Sequence, residues 1–404
     1  MKILVVHEVS YLRKVIYEIH EFPELLALKG HEVTFLEFDE GADRSTLPLP
    51  RDRNISGRIH KDAKIRLVTP HRFGLPQIDR IWAIFSSIPL LFSLFSKSKF
   101  DVVLNYAVPT YAMQLNLLAR LFRVPVLHRA LDVSSKIRES FWNPLIHLYE
   151  YFALLMPNRI SANNPAMKTY LETRIPKWKR KSIEVHYPPL DTSIFKPRLK
   201  DRDLQSQLGI PSTSKVVMYM GSFFYFSGLD EVIASFANEA RRDQTLRLLL
   251  IGGGEQEHLL RELVSTLKLK DKVIFTGFVD FRDLTRYMSL ADVAINPLKN
   301  GLVAGAAFPH KVLQYMATGI PAVSTKLEGL YMAFGDSSGI IWTQDSKEVL
   351  ERAISLLATD KKELLRQVQL QMRVIEQLFS TEATVNALEK SLMSLTGERK
   401  TKRD

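Results

Sequence analysis

Apolar residues along the chain gather in short, β-branched runs separated by longer stretches of wider apolar spacing. The runs Met1–Val6, Val33–Leu36, Ile65–Val68, Asp101–Asn105, Pro125–His128, Asn158–Ala162 and Ile183–His186 read as strands. The stretches Tyr11–Leu28, Ile78–Phe95, Tyr111–Phe122 and Asn143–Leu155 read as helices, with Gly30 ending the first and Asn164 opening a further one. Residues 41–62 are polar and basic, contain Pro48, Pro50 and Gly57, and read as a mobile loop. The alternation restarts with strands at Val216–Met220, Leu246–Ile251, Val273–Phe275, Ala291–Pro297 and Ala322–Thr325. Helices are predicted between them at Leu229–Ala240, Glu257–Leu267, Leu284–Leu290 and Lys311–Ala317, the last closed by Gly319 and Pro321. Such alternation predicts parallel, doubly wound α/β sheets, whose ligands collect at the carboxyl ends of strands. His7, Asn105 and the segment His128–Asp132 then share one rim.

Composition changes this picture little. A chain of 404 residues has room for two domains, and 46% hydrophobic with 25% charged residues is globular. No cysteine is present, which excludes a disulfide framework and thiolate metal or nucleophile chemistry. The formal charge of +11 suits phosphate ligands or an anionic membrane surface, and no nucleic-acid motif with ordered spacing accompanies it. The run Ile81–Phe95 is the most apolar in the chain; at 15 residues with Pro89 inside, it reads as a buried or interfacial helix rather than a membrane span.

Candidate chemistry sits where strands end. Gly221, the run Gly252–Gly254 and Gly277 each follow a strand, where backbone can approach a ligand closely. A loop containing Pro309 leads into the helix Lys311–Ala317, whose N-terminus offers unpaired N–H groups and the positive end of the dipole. Lys311 in that first turn opposes the dipole, a conflict that an anion between them resolves.

The stretch Ala306–Thr325 resembles the donor-site segment of GT-B glycosyltransferases, especially the large retaining, family-4-like group that uses nucleotide sugars. Pro309, Lys311, Tyr315, Met316, Ala317, Gly319 and Pro321 carry the match. The order Gly-x…Gly-Leu, Ile-Gly-Gly-Gly, Phe-x-Gly-Phe-Val, Ala-Asp-Val, Pro-x-Lys across the second half strengthens it, over about 110 residues. The resemblance implies two Rossmann-like domains facing each other across a cleft: residues 1–197 on the acceptor side, 198–375 binding the nucleotide sugar, and 376–404 as a helix returning towards the first domain with a basic tail. The family's glutamates fall on Gln314 and Ala306, and its two diphosphate cations on Ser222 and Ser227.

Position by position, the resemblance assigns the diphosphate to Gly221, Ser222, Ser227, Gly228 and Lys311. Gly252, Gly253 and Gly277 line the loops beside it, Phe278 and Val279 meet the nucleotide base, Gln314 the ribose, and the loop of Ala306 and Pro309 the sugar. On the other rim, Asp132 or His128 orients or deprotonates the acceptor hydroxyl, or serves structure, with His7 and Asn105 as acceptor contacts. The expected activity is glycosyl transfer from a nucleotide sugar to a glycan or lipid-linked saccharide, with retention, in cell-surface polysaccharide or glycoconjugate synthesis. No metal and no cofactor is expected, the nucleotide sugar being a co-substrate. The location is expected to be cytoplasmic, with peripheral contact at the inner face of an anionic membrane. A catalytically impaired homologue partnering another transferase, and a nucleotide-sugar epimerase, remain as alternatives.

Overall fold

Parallel strands need crossovers that cover both faces of their sheet, and the chain builds two such layered units. The computed structural model describes residues 1–38, 51–71, 76–108, 110–131, 143–180, 182–301, 305 and 307–401. One unit comprises Met1–Pro189 together with Thr381–Asp404, the other Leu190–Ser380.

The first unit contains an eight-stranded sheet with the order β3-β4-β2-β1-β5-β6-β7-β8. Its strands are β1 (Lys2–Val6), β2 (Glu32–Leu36), β3 (Arg51–Ser56), β4 (Lys64–Thr69), β5 (Val102–Asn105), β6 (Val126–Ala130), β7 (Arg159–Ala162) and β8 (Ile183–Val185). All neighbours are parallel except β3 and β4. Strand β3 lies in the expected loop 41–62, the rest of whose first half falls outside the described residues. As an edge strand with Asp52, Arg53 and Asn54 exposed, it has no apolar alternation to betray it. It is tied instead by backbone pairing and by an Asp52–Arg66 ion pair.

The first helix begins later than its apolar spacing suggested, at Glu18 rather than Tyr11. Buried carboxylates hold the preceding segment in a loop: Tyr11 N–H donates to Glu37 at 2.7 Å and the Tyr11 hydroxyl to Glu24 at 2.7 Å. Helix Thr381–Thr401 adds Val385, Leu388, Leu392 and Leu395 to the core formed by Ile3, Val5, Phe22, Phe35 and Leu104.

The second unit orders six parallel strands as β11-β10-β9-β12-β13-β14. They are β9 (Lys215–Met220), β10 (Leu246–Ile251), β11 (Val273–Gly277), β12 (Val293–Asn296), β13 (Ala322–Thr325) and β14 (Ile341–Thr343). Helix Leu229–Arg242 packs on them through Leu229, Val232, Ile233, Phe236 and Ala240, spaced three and four apart. The unit takes in residues 190–197, placed by the sequence in the first domain. Leu190 bridges to Ser380 and Phe195 meets Phe281 edge-on at 5.6 Å. The boundaries accordingly fall at Pro189/Leu190 and Ser380/Thr381.

Candidate active site

In each unit the chain leaves its first strand in both directions, which opens a crevice at the carboxyl ends of the two strands flanking that reversal. In the second unit those strands are β9 and β12, and the residue following β9 is Gly221. Its φ of +137° and its contacts explain the glycine: a Cβ there would lie 3.1 Å from Lys311 Nζ. Lys311 is the second residue of helix His310–Ala317, capped by Pro309 in extended conformation. Its ammonium donates to the Tyr219 hydroxyl at 2.8 Å and stands 3.9 Å from that ring's centroid. The Tyr219 hydroxyl in turn donates to the Ser222 carbonyl at 3.0 Å.

Burial lowers the Lys311 pKa to about 7, because no carboxylate compensates the desolvated charge. Among the described residues Lys311 forms no ion pair. The arrangement is a half-charged cation held at a helix N-terminus beside a glycine, and an anion bound there would restore its proton.

Backbone lacing shapes the rest of this rim. Gly252 N–H donates to the Gly277 carbonyl at 2.9 Å, and Phe223 N–H to Gly253 at 2.9 Å. A Cβ on Gly252 would lie 2.1 Å from the Gly221 carbonyl, and one on Gly228, at φ +70°, 2.0 Å from the Pro297 carbonyl. Ser227 is buried beside Gly228, while Ser222 is half-exposed. Phe278 is 66% exposed and flanks Gly253, so it is an open aromatic face rather than core. Val279 next to it is half-exposed. Gln314, three residues after Lys311, is 7% exposed, and its amide makes no hydrogen bond among the described residues. Ala306 lies outside the described residues.

In the first unit the reversal falls between β1 and β5. His7 and Tyr106, which follow those two strands, stack with ring centroids 5.4 Å apart. They open onto a cavity of about 570 Å³, also lined by Tyr17, His128, Glu150 and Arg174. Burial, reinforced by His20 and Lys14, holds the His7 pKa down to about 3, so its ring is neutral. His7 Nδ1 and the Tyr106 hydroxyl are buried without a hydrogen-bond partner among the described residues.

Asn105 does not reach the cavity as an acceptor contact. Its carbonyl accepts from Ala107 N–H at 2.9 Å, which fixes the amide so that its NH2 faces His128 Nδ1 at 3.2 Å. His128 therefore accepts at Nδ1 and carries its proton on Nε2, and burial keeps it neutral with a pKa of about 4. In this tautomer Nε2 can donate a hydrogen bond but cannot take up a proton. Arg129 is committed to structure: it pairs bidentately with Glu18 at 2.8 and 2.9 Å and donates to Ser161 and His186. Asp132 lies outside the described residues. Tyr219, Tyr106 and Tyr17 escaped the sequence reading; the one available signal is that Tyr219 and Tyr106 adjoin strand ends.

Comparison with known proteins agrees with this geometry. Residues 200–373 match the family model for glycosyl transferases group 1, and residues 19–194 match that for glycosyltransferase family 4. N-acetyl-alpha-D-glucosaminyl L-malate synthase of Bacillus anthracis is 22% identical over 348 residues, 84% of each chain. Among solved structures, sucrose-phosphate synthase from Thermosynechococcus elongatus aligns with a TM-score of 0.76 and 18% identity, over 98% of this chain and all (100%) of that one. HepE of Anabaena, in complex with UDP and glucose, aligns at 0.74 with 16% identity and covers 98% and 100%. With both family models matched and two doubly wound units built as described, the chain belongs to the GT-B glycosyltransferases of the family-4-like kind and is a transferase enzyme.

Proposed function

We propose that the enzyme transfers a glycosyl group from a nucleotide-sugar donor, held by the second unit, to a glycan or lipid-linked saccharide taken up by the first. The observation that carries this reading is Lys311: a desolvated ammonium beside Gly221, at a helix N-terminus, with no ion-pair partner among the described residues. A diphosphate supplies that anion. The solved relative bound to UDP and glucose supports the same class of donor.

In the reaction the bond from the anomeric carbon to the diphosphate oxygen breaks and one to the acceptor oxygen forms. Lys311 and the helix N-terminus stabilise the charge that develops on the departing diphosphate. Gln314 hydrogen-bonds ribose hydroxyls, Ser222 and Ser227 donate to phosphate, and exposed Phe278 with Val279 offers a face to the base. His128 Nε2–H and the free Tyr106 hydroxyl orient acceptor hydroxyls. The acceptor proton passes to Asp132 or to the departing diphosphate oxygen, since His128 has no free lone pair facing the cavity. Retention and a role in cell-surface polysaccharide or glycoconjugate synthesis complete the proposal.

Calorimetric titration with UDP-, GDP-, ADP- and TDP-sugars tests it, repeated on Lys311→Ala. One nucleotide is expected to bind, about tenfold more weakly to the variant. Absence of binding by all of them sinks the assignment of the donor site to Lys311 and its neighbours.

A further inference from the structure

Helix Pro76–Ser98 is apolar on both sides. Ala83, Leu91, Leu94 and Phe95 point into the core of the first unit, beside Leu4, Val6 and Val103. The opposite side shows Ile81 at 62% exposure, Phe85 at 63% and Phe92 at 50%, with Trp82 and Ile88 also exposed. Their spacing of three and four residues makes one continuous stripe. Phe122, whose ring lies 5.3 Å from that of Phe92, links the stripe to Leu121 and Leu117, exposed on the neighbouring helix Ala112–Leu121.

An apolar stripe of this extent marks an interaction surface. Charge selects the partner. Between residues 80 and 125 the chain has five Lys or Arg and one acidic residue, Asp101. Lys97, Lys99, Arg120 and Arg123 are exposed at the ends of the two helices, and none forms an ion pair among the described residues. Asp101 is occupied, accepting from Lys2 N–H at 2.7 Å.

We infer that this two-helix face docks on an anionic lipid surface, the apolar stripe entering the headgroup boundary and the four cations meeting lipid phosphates. The helix lies on the bilayer rather than across it. The window Asp79–Ser98 has a mean hydropathy of 1.4, but its inner side is core that cannot leave the sheet without opening the unit. The inference goes beyond the transfer reaction and does not depend on it.

Sedimentation of the full chain with vesicles tests it, read as bound protein and not as turnover. Binding is expected to phosphatidylglycerol–phosphatidylcholine vesicles and not to pure phosphatidylcholine, weakening as salt rises. Lys97→Gln with Arg120→Gln should weaken it about fivefold per charge removed. Phe85→Ser with Ile88→Ser, both at exposed positions, should weaken it by on the order of tenfold or more. Circular dichroism and unchanged nucleotide-sugar binding confirm that the variants are folded. Equal binding to neutral and anionic vesicles, or variants that bind like the wild type, overturns the inference. So does a wild-type dimer in sedimentation velocity that the Phe85→Ser, Ile88→Ser variant dissolves, because the face is then a protein interface.

Discussion

At the scale of single residues, Lys311 ties stability to ligand binding through one proton. Its pKa in the free protein is about 7, against about 10.4 for an unperturbed lysine. Between those values the native state holds fewer protons than the unfolded chain, so this group's contribution to stability rises with pH across that window. Lys311→Met removes the cost of a desolvated charge and should raise stability by about 1 kcal/mol at pH 6, with a smaller gain at pH 9. Denaturant unfolding at both pH values measures this. A bound diphosphate acts in the opposite sense, raising the lysine pKa. Donor affinity should therefore be full below pH 7 and fall as pH rises above it, with proton uptake visible when titrations are compared in buffers of different ionisation heat. Flat affinity from pH 6 to 9 would exclude Lys311 as the phosphate cation.

Elements show why some of this was legible from the chain and some was not. The strand-ending glycines, the Gly319 stop and the parallel order are local signals, and the structure realises them: Gly319 has φ +71° and follows Thr318, the residue that caps the helix. What the chain hid depends on distant partners. Tyr219, which seats Lys311, lies 92 residues from it, and Arg129 looked like a rim residue because its partner Glu18 is 111 residues away. Strand β3 was hidden for another reason, since a polar edge strand lacks the alternation that apolar burial imposes.

The rim glycines also separate into two kinds. Gly277 has φ +71° with open space around it, so Gly277→Ala should cost about 1–2 kcal/mol from backbone strain alone. Gly252 has φ +125° and the Gly221 carbonyl 2.1 Å from the missing Cβ, so Gly252→Ala should cost about 3 kcal/mol or more and spoil the donor loop as well. Urea midpoints of the two variants, with nucleotide-sugar binding alongside, distinguish them.

At the scale of the whole molecule, the first unit is assembled from two segments of chain that flank the second. Helix Thr381–Thr401 supplies four buried side chains to its core, each worth about 1.5–3 kcal/mol. Their sum rivals the entire stability of a domain. A chain ending at Ser380 should therefore lose the protection of β1, β2 and β5 in hydrogen exchange, while β9, β10 and β12 stay protected.

The same split arrangement sets a schedule for synthesis. The ribosome finishes the eight strands of the first sheet and then makes about 190 further residues before the helix that completes their core. At 5–20 residues per second this delay is roughly 10–40 s. Only at the end of that interval does the second unit have all of its own chain and become able to fold, while the first, with its apolar outer helix and unfinished interior, has waited from the start. Chaperone capture should therefore fall on the earliest part of the polypeptide and be released only by the latest.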